Sequence, residues 1–200
     1  MTKVIEQVKT QEIEEGKEKR NVPKLRFKGF EDEWEEKKIE DVSDVIMGQS
    51  PSSEYYNEEM IGMPLIQGNA DIKDRITSPR MYTTSITKTC NIGDIIMSVR
   101  APVGSIVKSM HIACIGRGVC SIVPKINNEY LYQILLIQEN RWCKLSQGST
   151  FDSINRSDIG RLKIYIPCLN EQIKIAKFLG IIDKKIGKKW IILGSIIVIL

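Results

Sequence analysis

Between Gln147 and Ile186 three units of different physical character follow one another without a linker, and no other stretch constrains the fold as much. Gln147 to Asn155 is a polar turn, rich in hydroxyls and amides around Gly148, a residue free to adopt backbone shapes that others avoid. Leu162, Ile164 and Ile166 alternate with Lys163 and Tyr165, the period of a half-buried strand, and Pro167 stops it. A helix follows. Asn170 is the expected N-cap, Glu171 sits at the positive end of the helix dipole, and Ile175, Leu179, Ile182 and Ile186 recur at 4-3-4 spacing. That spacing makes a narrow apolar seam suited to another helix.

The rest of the chain reads as strands broken by polar turns. Pro64-Leu-Ile runs into Gln67-Gly-Asn-Ala-Asp. Asn91-Ile-Gly-Asp turns into a strand in which Ile95, Met97 and Val99 share a face. Ala101-Pro-Val-Gly is the next turn and Ser105-Ile-Val-Lys returns from it. Ile112-Ala-Cys-Ile, Gly116-Arg-Gly and Val119-Cys-Ser-Ile-Val complete the block. Ahead of it lies a loop, Gly48-Gln-Ser-Pro-Ser-Ser, followed by the pair Tyr55-Tyr56. Behind it, residues 127–145 predict a helix capped by Asn127 or Asn128, with Leu131, Ile134, Leu135 and Trp142 as a core-facing stripe. The expected class is α+β: a twisted, mostly antiparallel sheet with a few helices, and a C-terminal helix projecting from it.

Charge is uneven along the 200 residues. Residues 1–41 hold 10 Lys/Arg and 12 Asp/Glu, a balance of −2, which leaves 19 against 13, or +6, on the rest. A basic body permits nucleic-acid binding without requiring it. Residues 1–21 form a charged leader expected to be mobile. In 22–41, Leu25, Phe27, Phe30 and Trp34 are expected to clip a polar segment onto the core. The chain is charged from Lys3 onward, so no signal peptide is expected. The five cysteines contain no Cys-x-x-Cys pair and His111 is the one histidine. Scattered buried thiols in a reducing cytoplasm are expected, and no metal site.

Two stretches resemble a known family. Gly148-Ser-Thr-Phe followed by Ile154, then Ile166-Pro167, then Glu171-Gln172 with Ala176, Phe178 and Leu179, is similar to the end of a target recognition domain and the start of the spacer helix in the DNA specificity subunit of Type I restriction–modification systems. Pro23-x-Leu-Arg-Phe-x-Gly-Phe, an acidic run and Trp34-Glu resemble the opening of such subunits, and the strand block between resembles their recognition domains. The resemblance covers about residues 22–186. It implies a recognition domain at 22–167, the start of a coiled-coil spacer helix at 168–189, and double-stranded DNA, modification and restriction subunits as partners. A second copy or second half-subunit is a further candidate partner. Chemistry would belong to the partners, with no cofactor here. Residues 190–200, Trp-Ile-Ile-Leu-Gly-Ser-Ile-Ile-Val-Ile-Leu, depart from the family pattern as an uncharged apolar tail, short of the roughly 20 residues that span a bilayer. They raise a truncated or frameshifted remnant as an alternative to a working half-subunit.

No catalytic pattern stands out. There is no phosphate-binding Gly-rich loop, and Glu36-Lys-Lys38 or Asp71-Ile-Lys73 imitates a nuclease acid-x-Lys triplet in a chain where such triplets arise by chance. His111 reads as a strand histidine. Candidate DNA contacts are polar and basic residues at turns. Gln67, Asn69, Arg100 and Gln147 suit base edges because amides and guanidinium groups bond in pairs. Ser50, Arg75, Arg80, Arg117, Ser149 and Arg156 suit phosphates. Asn155 and Asp158 are expected to brace their turn. The seam Ile175, Leu179, Ile182 and Ile186 is the expected subunit contact.

Overall fold

The computed structural model describes residues 21–186 apart from 24, 140 and 143–152, and side chains as far as 183. The charged leader up to residue 20, Gln147, Ser149, most of the turn around Gly148, the end of the predicted 127–145 helix, the Ile186 side chain and the apolar tail lie outside the described residues.

The centre is a six-stranded sheet in the order β2-β12-β9-β10-β6-β5. Its strands are β2 (Ser43–Met47), β5 (Ile72–Lys73), β6 (Ile76–Thr77), β9 (Ile95–Ser98), β10 (Ile106–Lys108) and β12 (Val119–Pro124). A five-stranded sheet, β3-β7-β4-β11-β8, lies over one face. It is built from β3 (Tyr56–Asn57), β4 (Met63–Ile66), β7 (Met81–Thr83), β8 (Thr89–Cys90) and β11 (Ala113–Ile115). The ribbon β1–β13 (Glu35–Lys38 with Lys163–Ile166) makes a third sheet. Antiparallel pairing dominates, with β10–β6 and β11–β4 parallel. The class is α+β, but the single sheet expected from the sequence is three.

Strand β9 shows why. Its four residues are all buried. Ile95 and Met97 face a core shared with α1 (Ile39–Val42), α2 (Asn128–Ile137), α3 (Arg156–Gly160) and β13. Ile96 faces the other way, into a cluster with Ile66, Cys90, Val107, Ala113, Ile115 and Val119. A strand buried on both faces reads as a continuous apolar run, and Ile-Ile-Met is that run.

The helical side carries the caps. Asn127 accepts from the Tyr130 backbone N–H, as expected. Leu131, Leu135 and Trp142 are buried and Ile134 packs half-buried against them. Asn155 accepts from the N–H groups of Ser157 and Asp158, while Asp158 receives the Asn155 N–H, so the two brace that turn as anticipated. The final helix, α4, spans Leu169–Ile186. Asn170 is therefore its second residue and not its cap. The Cys168 carbonyl instead receives the N–H groups of Glu171 and Gln172.

Three further expectations are corrected. Leu25 is 59% exposed, and Phe27 and Phe30 pack on α4 and not on the central core. His111 stands in a bend ahead of β11, its Nδ1 3.1 Å from Thr77 Oγ1. Cys90, Cys114 and Cys120 are buried thiols, but Cys168 is exposed. No described helix is long and apolar enough to cross a membrane.

Candidate nucleic-acid interface

At one end of the two larger sheets three segments meet so closely that side chains are excluded between them. A Cβ on Gly48 would lie 2.1 Å from the Gly116 carbonyl oxygen, and one on Gly118 2.1 Å from that of Gln67. Backbone bonds fasten the segments together. Gly48 donates to Val119, Gln49 to Ile115, Gly116 to Ile66 and Val99 to Gly118, all within 2.8–3.0 Å. The Thr87 hydroxyl also donates to the Gln49 carbonyl. The loops at 48–51, 67–69 and 116–118 therefore form one rigid edge held by both sheets.

Side chains of the predicted set stand on that edge. Ser50 Oγ accepts from the Arg117 backbone N–H at 3.1 Å, which leaves its own proton for another acceptor. The pairing of β9 with β12 matches Ser98 with Val119, and the Val99 N–H donates to the Gly118 carbonyl, so Arg100 follows directly on a residue bonded to the 116–118 loop. The turn beyond Arg100 is closed by Ser98 Oγ, which donates to the Pro102 carbonyl at 2.8 Å and accepts from the Ser105 N–H at 2.9 Å. Arg100 pairs with Ser153 in an isolated bridge. Gln67 lies against Gly116 and Gly118, its N–H held by Asp71 Oδ2 at 2.8 Å, and Asn69 opens the short 3₁₀ turn Asn69–Asp71 beside it. Arg100 and Arg117 are exposed, and neither has an ion-pair partner among the described residues.

Four of the ten candidates, Ser50, Gln67, Arg100 and Arg117, thus converge, with Asn69 adjoining. Arg80 is attached indirectly. Its Nε bonds Asp71 Oδ1 at 3.1 Å, the same carboxylate that holds Gln67, yet its side chain stays 65% exposed. Arg156 is exposed on the first turn of α3, three residues beyond Ser153. Arg75 is committed elsewhere. Its guanidinium is bonded to Glu139 and to the Ile106 carbonyl, on the side of the sheet that carries α2. Its pKa is raised, burial opposing the bond and the charge of Glu139.

Sequence reasoning noted the amide of this loop but did not single out Gln49, whose N–H and carbonyl are both tied while the residue itself is exposed. The amide in Gly48-Gln-Ser-Pro was visible, but nothing local told which of its polar groups the fold would use. Tyr56, in contrast, spends its hydroxyl on the Pro51 carbonyl at 2.9 Å and braces the loop. The acid-x-Lys triplet at Asp71 dissolves in the same way, because Asp71 is 2% exposed and bonded to Arg80 and Gln67. Burial pushes the Cys120 thiol up to about 12, which makes it core and not nucleophile.

Comparison with known proteins identifies the fold and the family. Residues 31–192 match the family model described as the Type I restriction modification DNA specificity domain. A Methanocaldococcus jannaschii protein, named as the specificity subunit of type I restriction enzyme MjaX, is 38% identical over 148 residues, 72% of this chain and 35% of the relative. The HsdS subunit from Thermoanaerobacter tengcongensis superposes with a TM-score of 0.70 at 30% identity, over 88% of this chain and 45% of that one. A chain from a structure of complex assembly and conformational transition of the type I R-M system gives 0.70 at 31%, over 92% and 46%. The chain therefore spans less than half the length of each. With the motifs, the layered fold and the family model in agreement over most of its residues, this chain belongs to the Type I restriction–modification DNA specificity family.

Proposed function

We propose that this chain reads one half of a bipartite DNA sequence, with residues 22–167 as the recognition body and 168–189 as the start of a spacer helix. One observation carries the reading: three loops fused at one sheet end present two exposed arginines, a serine hydroxyl and amide side chains on a backbone that cannot shift. Gln67, Asn69 and Arg100 offer paired donors or acceptors to base edges, and Ser50, Arg117 and Arg156 suit phosphate oxygens. Arg75 is dropped from the set because Glu139 holds it. The chain contributes recognition and no chemistry. Methylation and cleavage would fall to modification and restriction subunits, and the spacer helix would meet them. The Type I specificity relatives support this assignment.

The helix seam is the weaker part of that assembly. Leu179 is buried beneath the chain's own body, which leaves Ile175 and Ile182 half-exposed for another helix. We therefore expect feeble self-association through the seam, to be checked by light scattering over a concentration series. The functional test is selection of the full chain on a pool of duplexes with a randomised core. A recovered consensus supports base reading. Retention of the pool without enrichment leaves only electrostatic binding and defeats it.

A further inference from the structure

The leading segment grips the final helix, α4. Arg26 meets Glu171 in two parallel bonds, Nε to Oε1 and Nη2 to Oε2, each 2.8 Å. Glu171 is fully buried and the Arg26 side chain is 10% exposed. The Phe27 ring stands edge-on to Phe178, centroids 5.7 Å apart and planes at 84°. The Lys174 ammonium lies 5.6 Å from the Phe27 centroid and 5.2 Å from that of Phe30. Positions 171, 174 and 178 are spaced three and four residues apart and so share one face of α4.

The neighbouring face is held by the body. Gln172 accepts from the Asn127 N–H at 3.1 Å and donates to the Pro167 carbonyl at 2.9 Å, and Ala176 and Leu179 are buried beyond it. Only Pro167 and Cys168 separate β13 from α4. The body holds that neighbouring face over the described length of α4, as far as Asp183, which accepts from Gln133 Nε2 at 2.8 Å, and the leading segment covers a flanking face. A buried carboxylate with one bidentate cation is a strong lock, because removing the cation leaves an uncompensated charge.

We propose that residues Arg26 to Phe30 form a latch that, together with the face held by the body, fixes the direction of α4, with Arg26 as its positioning residue. The latch joins the two motifs that the sequence showed far apart, Leu25-Arg-Phe-x-Gly-Phe and Glu171-Gln-x-x-Ala-x-Phe-Leu. Its consequence for function rests on the reading above. In a specificity subunit the direction of this helix fixes where a second recognition surface sits, so the latch would be a determinant of half-site spacing.

Hydrogen exchange on the full chain tests it, comparing wild type with Arg26→Ala, Arg26→Lys and Phe30→Ala. Amides in the first turns of α4 should exchange about a hundred-fold or more faster in Arg26→Ala, the loss expected for a broken buried pair, while β9 and β12 keep their protection. Arg26→Lys should fall between, since an ammonium cannot make the parallel pair. Phe30→Ala should loosen the same turns by a smaller factor, and it stands as the second variant should Arg26→Ala fold poorly. Unchanged exchange in α4, with only the leading segment faster, makes that segment a passenger and overturns the proposal. Equal acceleration of α4 and the sheet overturns it too, because the pair would then be part of global stability. Failure of the wild-type chain to bind any duplex would remove the spacing consequence and leave the latch standing.

Discussion

The loop end of the sheets and the helical side treat charge in opposite ways. Around α2 and α4 three cations are each paired with an acid, and one acid is held by an amide. Arg75 takes Glu139, Lys108 takes Glu129, Arg26 takes Glu171, and Gln133 holds Asp183 at 2.8 Å. At the loop end the backbone is at least as tightly bonded, yet Arg100 and Arg117 are exposed with no acid partner among the described residues. Residue type alone does not mark a ligand contact. Where the fold already supplies the acid, an arginine is structure; where it supplies only a rigid backbone, the charge stays exposed, which is the basis of the proposed DNA contact.

The largest effect expected from breaking this contrast is at the glycines. Gly118→Ala places a methyl group 2.1 Å from a backbone oxygen that cannot step aside. It should cost about 3 kcal/mol or more and remove duplex binding at the same time, seen by thermal melting beside anisotropy. Next comes Arg75→Ala. Both partners are partly exposed, so the loss is discounted to about 1–2 kcal/mol of stability, with duplex affinity unchanged once the protein is folded. Arg100→Ala should do the reverse. Melting should move by under about 0.5 kcal/mol, while the enriched consensus loses preference at one base pair.

The smallest effect concerns Asp183, whose pKa is raised, chiefly by burial, with Gln133 opposing. A carboxyl raised in the folded state binds more protons folded than unfolded, so its contact with α2 strengthens as pH falls through the folded pKa and weakens above it. Asp183→Asn should flatten that dependence and gain a few tenths of a kcal/mol at neutral pH, read from chemical denaturation across the mildly acidic range.

Much of this contrast was legible in the sequence, and the rest was hidden for physical reasons. The alternation of Leu162, Ile164 and Ile166 gave β13 outright, and Asn127 announced its helix, because strand period and capping are local; the short helix after Asn155 was read only as a braced turn. The second sheet was not legible, since Ile-Ile-Met at 95–97 does not say what covers its other face. The fate of the arginines was hidden for the same reason. Glu139 lies 64 residues from Arg75 and Glu171 lies 145 from Arg26, and nothing near either arginine signals the partner. Phe27 and Phe30 were rightly seen as fasteners but assigned to the wrong surface, since α4 is joined to them only by the fold, and Leu25 is exposed instead.

The most direct test of the central claim is the salt dependence of duplex binding for wild type, Arg117→Ala and Arg75→Ala on one selected duplex. Each phosphate contact contributes about 0.9 to the slope of log affinity against log salt. The account predicts a slope shallower by about that amount in Arg117→Ala and unaltered in Arg75→Ala. A slope that falls in Arg75→Ala and stays put in Arg117→Ala would contradict it.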